Sequence, residues 1–298
     1  MEECLLRHLP AAGGTSKHIS RPDAHILVIP GIDDERVEEW SKAHGVSLVH
    51  DLTGKDNKAS NIQITVLEHQ LTSSTFKQWS QLDVQAERLL AKAEDFIHTW
   101  DPEHRPLLFL CHSLGGLILK RLLVHARRRE EGTKLLFDSL AGIVFLGSPH
   151  LRDSNKSEWA KVPAILELRM LSLPEDLADV SKLQRLAQWS RDFEHLNLSV
   201  RILSTREGRK SRTKKKKKKW WSIVSAGDGE EVKSVDTDHY GLCALNESNQ
   251  FRATLIEFCH DSLRLARDRF NVSSSISKPI RIRSTAHQAY DEKYNLLH

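Results

Sequence analysis

Residues Pro106 to Lys120 constrain the fold more than any other stretch of this chain. Leu107-Leu108-Phe109-Leu110 carries no polar side chain, Cys111-His112-Ser113-Leu114-Gly115 follows, and apolar residues then recur at Leu117, Ile118, Leu122 and Leu123. A short apolar run that breaks into a small-residue turn reads as a buried strand, and spacing by three and four reads as an amphipathic helix. The turn between them is a variant of G-x-S-x-G, which holds its serine in a strained conformation and lifts the hydroxyl above the end of the sheet. Strand and helix cross closely there, so the positions two before and two after the serine must be small. Cys111 stands where glycine is usual and is small enough. Ser113 is therefore the expected nucleophile.

The rest of the chain alternates in the same way. Ala24–Ile29 is an apolar run ending at Pro30-Gly31, and Asp33, Asp34 and Glu35 precede Val37 and Trp40 as acidic residues precede a helix. Ile62–Leu67 is β-branched and alternating, as in a strand. From Lys77 to Trp100 the apolar positions step by threes and fours, and both tryptophans at Trp79 and Trp100 read as core packing. A strand is expected from Leu140 into Gly147-Ser148-Pro149-His150. Residues 158–196 read as helical, interrupted by Pro163 and Pro174. Further strands are expected at Ser199–Thr205 and Ser222–Ser225, and a closing helix at Phe251–Arg269. Alternation of this kind predicts an α/β fold with a mostly parallel sheet and helices on both faces. Ligands bind such sheets at the carboxyl ends of the strands, where Ser113 falls. The expected limits are a loose tail at 1–23, one domain at 24–270 with a basic inserted loop at 208–221, and a tail or connection at 271–298.

The net charge of +4 is local: Lys214–Lys219 alone contribute six positive charges, so no general affinity for nucleic acid is expected. The four cysteines show no paired spacing for zinc or a redox motif, and fit reduced thiols. Met1-Glu2-Glu3-Cys4 lacks the basic-then-apolar layout of a signal peptide, and no run reaches membrane-spanning length. The expected location is intracellular, cytoplasmic or peripheral to a membrane. Lysines near an anionic leaflet and indoles at its interface both favour contact, so Lys214–Lys219 with Trp220 and Trp221 are a candidate membrane surface.

A serine hydroxyl needs a base, and the base needs a carboxylate to hold its tautomer. Behind an elbow of this kind the partners follow the serine as acid, then histidine. His239, in Val235-Asp236-Thr237-Asp238-His239-Tyr240, lies after the last expected strand and before the last helix, as a base should. Glu207, just past the Ser199–Thr205 strand, is the preferred acid, with Asp236 the alternative. Asp238 adjoins the histidine in the chain and cannot readily reach round to its Nδ1. His150, at another strand end, is a candidate for lining the pocket. An oxyanion hole needs two backbone N–H groups: Leu114 should give one, and Ile32 the other, since Pro30 has none. No metal or organic cofactor is expected.

Three stretches, Leu108 to Leu117, Gly142 to His150 and Asp238 to Cys243, make the chain resemble the serine esterase family of α/β hydrolases. It is most similar to the lipase-like domains at the start of fungal proteins carrying NACHT or ankyrin modules. The resemblance implies an α/β-hydrolase fold over about Ala24 to Phe270, with Ser113 and His239 on catalytic positions. It also implies that Glu207 is the carboxylate after the penultimate strand and that the substrate is a carboxylic ester, with a lipid as one option. Two departures stand out: Pro30-Gly31 replaces the family's His-Gly, and the lysine run has no counterpart. The alternative is a non-catalytic hydrolase-fold module serving a larger receptor-like system.

Overall fold

A computed structural model describes residues 6–8, 23–32, 62–100, 105–129, 133–150, 162–163, 172–207, 230–237, 239, 242 and 250–276. Its centre is a seven-stranded sheet. The strands are β1 (Leu6–His8), β2 (Ala24–Ile29), β3 (Ile62–Leu67), β4 (Leu107–His112), β5 (Leu140–Leu146), β6 (Arg201–Glu207) and β7 (Glu230–Val235). They lie in the order β1-β3-β2-β4-β5-β6-β7. All neighbours are parallel except β1, which runs antiparallel to β3. Every residue of β2, β4 and β5 is buried, as strands covered on both faces require.

The pleat sorts the side chains. Leu27, Ile29, Phe109, Cys111, Ile143 and Phe145 face α1 (Ser80–Trp100), α2 (Gly115–Arg128) and α5 (Leu183–Glu194), whose apolar stripes complete one core. Two shorter helices described in that region are α3 (Lys134–Ser139) and α4 (Glu175–Ala178). Ile26, Val28, Leu108, Leu110, Val144 and Leu146 point the other way, against Phe251, Leu255, Phe258, Cys259 and Leu263 of α6 (Gln250–Ile276). This is the α/β-hydrolase architecture. Among the described residues no helix is long and apolar enough to cross a membrane.

The chain order positions the site. From β2 it moves outward to β3, then returns to the other side of β2 as β4. The loop leaving β2 and the loop leaving β4 therefore part in opposite senses, and the crevice where a parallel sheet switches direction opens between them at Ile29-Pro30 and His112-Ser113.

Several elements differ from the sequence reading. Leu6–His8 pairs with Thr65–Leu67, so part of the expected tail is an edge strand, too short for its alternation to register. The closing helix continues to Ile276 because no Gly or Pro stops it before Pro279. The sixth strand lies two residues later than expected, which makes Glu207 its last residue rather than one two beyond its end. Strand β7 was not expected, since Glu230-Glu231-Val232-Lys233-Ser234-Val235 carries little apolar pattern and its solvent side is half-exposed. The strand expected at Ser222–Ser225, the acidic helix start at Asp33–Glu35, the Trp100 side chain and the lysine run lie outside the described residues. Trp79 is buried in the core.

Candidate active site

Strand β4 delivers its last residue, His112, to a turn in which Ser113 has φ 51°, a left-handed conformation that L-residues seldom adopt. Both ends of the serine are clamped. Its N–H donates to the Leu146 carbonyl at 2.9 Å, extending the pairing with β5, and its own carbonyl accepts from Gly116 at 3.1 Å, opening α2. Neighbouring structure thus over-determines a conformation that costs about 1–2 kcal/mol on its own.

Two glycines let the elbow close on its surroundings. A Cβ on Gly115 would stand 2.5 Å from the Ile29 carbonyl oxygen and closer still to that of Pro30. One on Gly116 would meet the Ser148 Cβ at 2.5 Å. Side chains there would push the helix off the β2 and β5 loops. A Cβ on Gly31 would lie 3.1 Å from the Ser113 Cβ, so the Pro30–Ile32 loop is seated directly against the serine. Ile32 and Leu114, the two expected oxyanion donors, are buried beside it.

His239 reaches in from the turn after β7. It is buried, and its Nε2 lies 2.9 Å from the Ser113 Oγ. His112 braces that turn from below: its Nε2–H donates to the His239 carbonyl at 3.2 Å, and the two rings lie 4.9 Å apart. Sequence reasoning did not single out His112, although its place at the strand's carboxyl end was a usable signal. Nor did it single out His69, two residues past β3, whose ring meets the Pro30 carbonyl.

Glu207 ends β6 level with Val235, the last residue of β7, which sets its backbone at the carboxyl edge of the sheet four residues upstream of His239 in register. Its side chain is outside the described residues, as is Asp238. Asp236 is exposed directly after β7. His150, the sequence candidate for lining the pocket, lies four residues past the end of β5. It is buried edge-on against Phe145, its Nε2 3.5 Å from the Ser204 Oγ and 3.7 Å from the Glu230 carboxylate. Glu230 also takes the Ser204 hydroxyl, and Lys120 of α2 caps the neighbouring Pro149 carbonyl at 3.3 Å. These partners tie the β5 loop to the sheet. Burial raises the Cys111 thiol well above its ordinary pKa, so it packs as a small neutral group.

The fold and this site define a class: an α/β-hydrolase architecture with a strained serine at its switch point and a buried histidine within hydrogen-bonding reach. Known proteins compare as follows. No family model matches the chain. Over 165 residues it is 26% identical to Protein SERAC1 of Bos taurus, covering 53% of this chain and 24% of that one, so it spans about a quarter of that relative's length. Among solved structures it is similar to a lipase-esterase related protein from Clostridium acetobutylicum, with 11% identity, a TM-score of 0.42 and 87% and 98% of the two chains covered. It is also similar to a Pyrococcus furiosus esterase, at 12% identity and a TM-score of 0.45 over 80% and 82%. A monoacylglycerol lipase of Paleococcus ferrophilus shows 9% identity and a TM-score of 0.44 over 88% and 100%.

Proposed function

We propose that this chain is a serine hydrolase that cleaves a carboxylic ester through an acyl-enzyme. The observation that carries the reading is the 2.9 Å approach of His239 Nε2 to the Oγ of a serine held at φ 51° at the sheet's switch point. As Ser113 Oγ bonds to the ester carbon, its proton passes to His239 Nε2. The carbonyl oxygen becomes an oxyanion, met by the N–H groups of Leu114 and Ile32 and by the positive end of α2. Collapse breaks the bond to the alkoxy oxygen, which leaves as the alcohol with the proton from His239. Water, giving its proton to the same nitrogen, then attacks the acyl-serine and releases the acid. Glu207 serves as the acid that orients His239. Its support is position: its backbone ends β6 beside the end of β7, at the sheet edge from which the turn carrying His239 departs.

Labelling with a fluorophosphonate tests the proposal. Wild type should take up the probe at Ser113, and Ser113→Ala should take up none and lose about a millionfold in kcat on an ester. Equal labelling of both proteins overturns the assignment. Glu207→Gln should cripple hydrolysis while Asp236→Asn stays mild, and the reverse moves the acid to Asp236. Lys214–Lys219 and Trp220-Trp221 fall between acid and base in the chain, which supports a contact with anionic membrane near the substrate's entry. Sedimentation with anionic vesicles should then weaken steeply with salt, and equal pelleting after deletion of the six lysines removes that contact.

A further inference from the structure

We infer that His69 is a positioning residue for the oxyanion loop: its Nε2–H holds the Pro30 carbonyl and so fixes the Pro30–Gly31 peptide, the unit that leads into the Ile32 amide beside Ser113. The inference rests on the serine-hydrolase reading of the site.

His69 lies in the segment after β3, the strand beside β2, and is buried. Its two ring nitrogens have opposite duties. Nδ1 accepts the Leu71 backbone N–H at 3.2 Å, so Nδ1 carries no proton. Nε2 lies 3.0 Å from the Pro30 carbonyl oxygen, which can only accept, so the proton is on Nε2. The tautomer follows from the partners alone. The ring must also be neutral for Nδ1 to accept, and burial pushes its pKa down to about 4 against the opposing pull of the Pro30 and Gly31 backbone.

The Pro30 carbonyl and the Gly31 N–H belong to one planar trans peptide, so fixing one direction fixes the other. That carbonyl is held from a second side, since it occupies the space a Gly115 side chain would need. His69 on one flank and the first turn of α2 on the other enclose the Pro30 carbonyl. Proline at this position contributes no N–H of its own, so the loop's orientation depends on what its carbonyl can find. A preorganised oxyanion donor contributes through its aim, and a loop that swings forfeits much of that effect.

The test uses the whole chain with His69→Phe, which keeps the ring's bulk, and His69→Gln, whose amide N–H and carbonyl reproduce both bonds. Hydrogen exchange at Gly31 and Ile32, phosphonylation of Ser113, and kcat and KM on p-nitrophenyl butyrate are measured. His69→Phe should speed loop exchange at least tenfold and lower kcat by about 10- to 100-fold with KM within twofold. His69→Gln should return kcat to within about threefold of wild type. Should His69→Phe fail to fold, His69→Asn, whose shorter amide stops short of Pro30, carries the same expectation. Wild-type kcat in the folded Phe or Asn variant overturns the inference, as does a Gln variant as impaired as the Phe one. A wild-type protein inert to ester and probe removes the hydrolase reading instead. Loop exchange then decides the contact by itself, and no change in His69→Phe overturns it.

Discussion

At the scale of single residues, the elbow works by exclusion. Gly115 and Gly116 are helical, where alanine would ordinarily be the better choice by about 1 kcal/mol. Here a methyl on Gly115 would meet two backbone carbonyl oxygens, from Ile29 and Pro30, which cannot rotate aside as a flexible side chain can. Overpacking of this kind costs about 1–3 kcal/mol and outweighs the propensity gain. Gly115→Ala should therefore lower stability by about 1–2 kcal/mol in urea titration and slow phosphonylation of Ser113 at least tenfold, because the displaced atoms belong to the proposed oxyanion loop. A variant that is more stable and equally reactive would show that the loop has slack. The elbow at Ser113 was legible in the sequence because it needs strand, small turn and helix in one short stretch. His69 was not, since one histidine after a strand has no period and its partner lies 39 residues away.

At the scale of elements, α2 is unusual in burying Lys120 and Arg121 as well as its apolar residues. Arg121 is accommodated because α1 and α5 bring acids to it. Its Nε donates to Asp83 at 2.6 Å, its Nη1 stands 3.7 Å from Asp192, and its guanidinium lies 5.1 Å from the Trp189 ring. His125 reaches the same Asp83 oxygen at 2.7 Å. Burial would raise the Asp83 pKa, but hydrogen bonds from Arg121 and His125 outweigh it and leave it lowered. Asp83→Asn keeps an acceptor and removes the charge. With Asp83 about a third exposed, solvent screening holds the expected loss to about 1–2 kcal/mol at pH 7. The gap between variant and wild type should close as pH falls through the carboxylate range, because a lowered carboxylate pKa stabilises only above it. A gap that persists at pH 3 would assign the loss to packing. The apolar strands and the 3.6-residue helices were readable from periodicity. Strand β7 was not, because its stability comes from pairing with β6 rather than from its own side chains.

At the scale of the whole molecule, the sheet order was beyond a sequence reading. Periodicity says which residues are strands, while the order comes from which apolar faces meet after collapse. The same assembly sets how the fold responds to acid. Burial lowers the His69 pKa from 6.5 to about 4, and burial lowers that of His260 as well. Between those two values for His69 the unfolded chain holds a proton that the native chain refuses, so stability rises with pH in that window. Above pH 6.5 both states are neutral at His69 and the dependence vanishes. Falling from pH 6.5 to 4 should cost about 3 kcal/mol at this one residue, a large part of the 5–15 kcal/mol typical of a domain. Below pH 4 the lowered carboxylates of Asp83, Asp176 and Asp179 add to the loss. Urea titrations at pH 7.5, 5.5 and 4.0 read the slope directly. His69→Gln has nothing to titrate and keeps both hydrogen bonds, so its stability should fall far less over the same range. Equal slopes in the two proteins would place the acid sensitivity elsewhere.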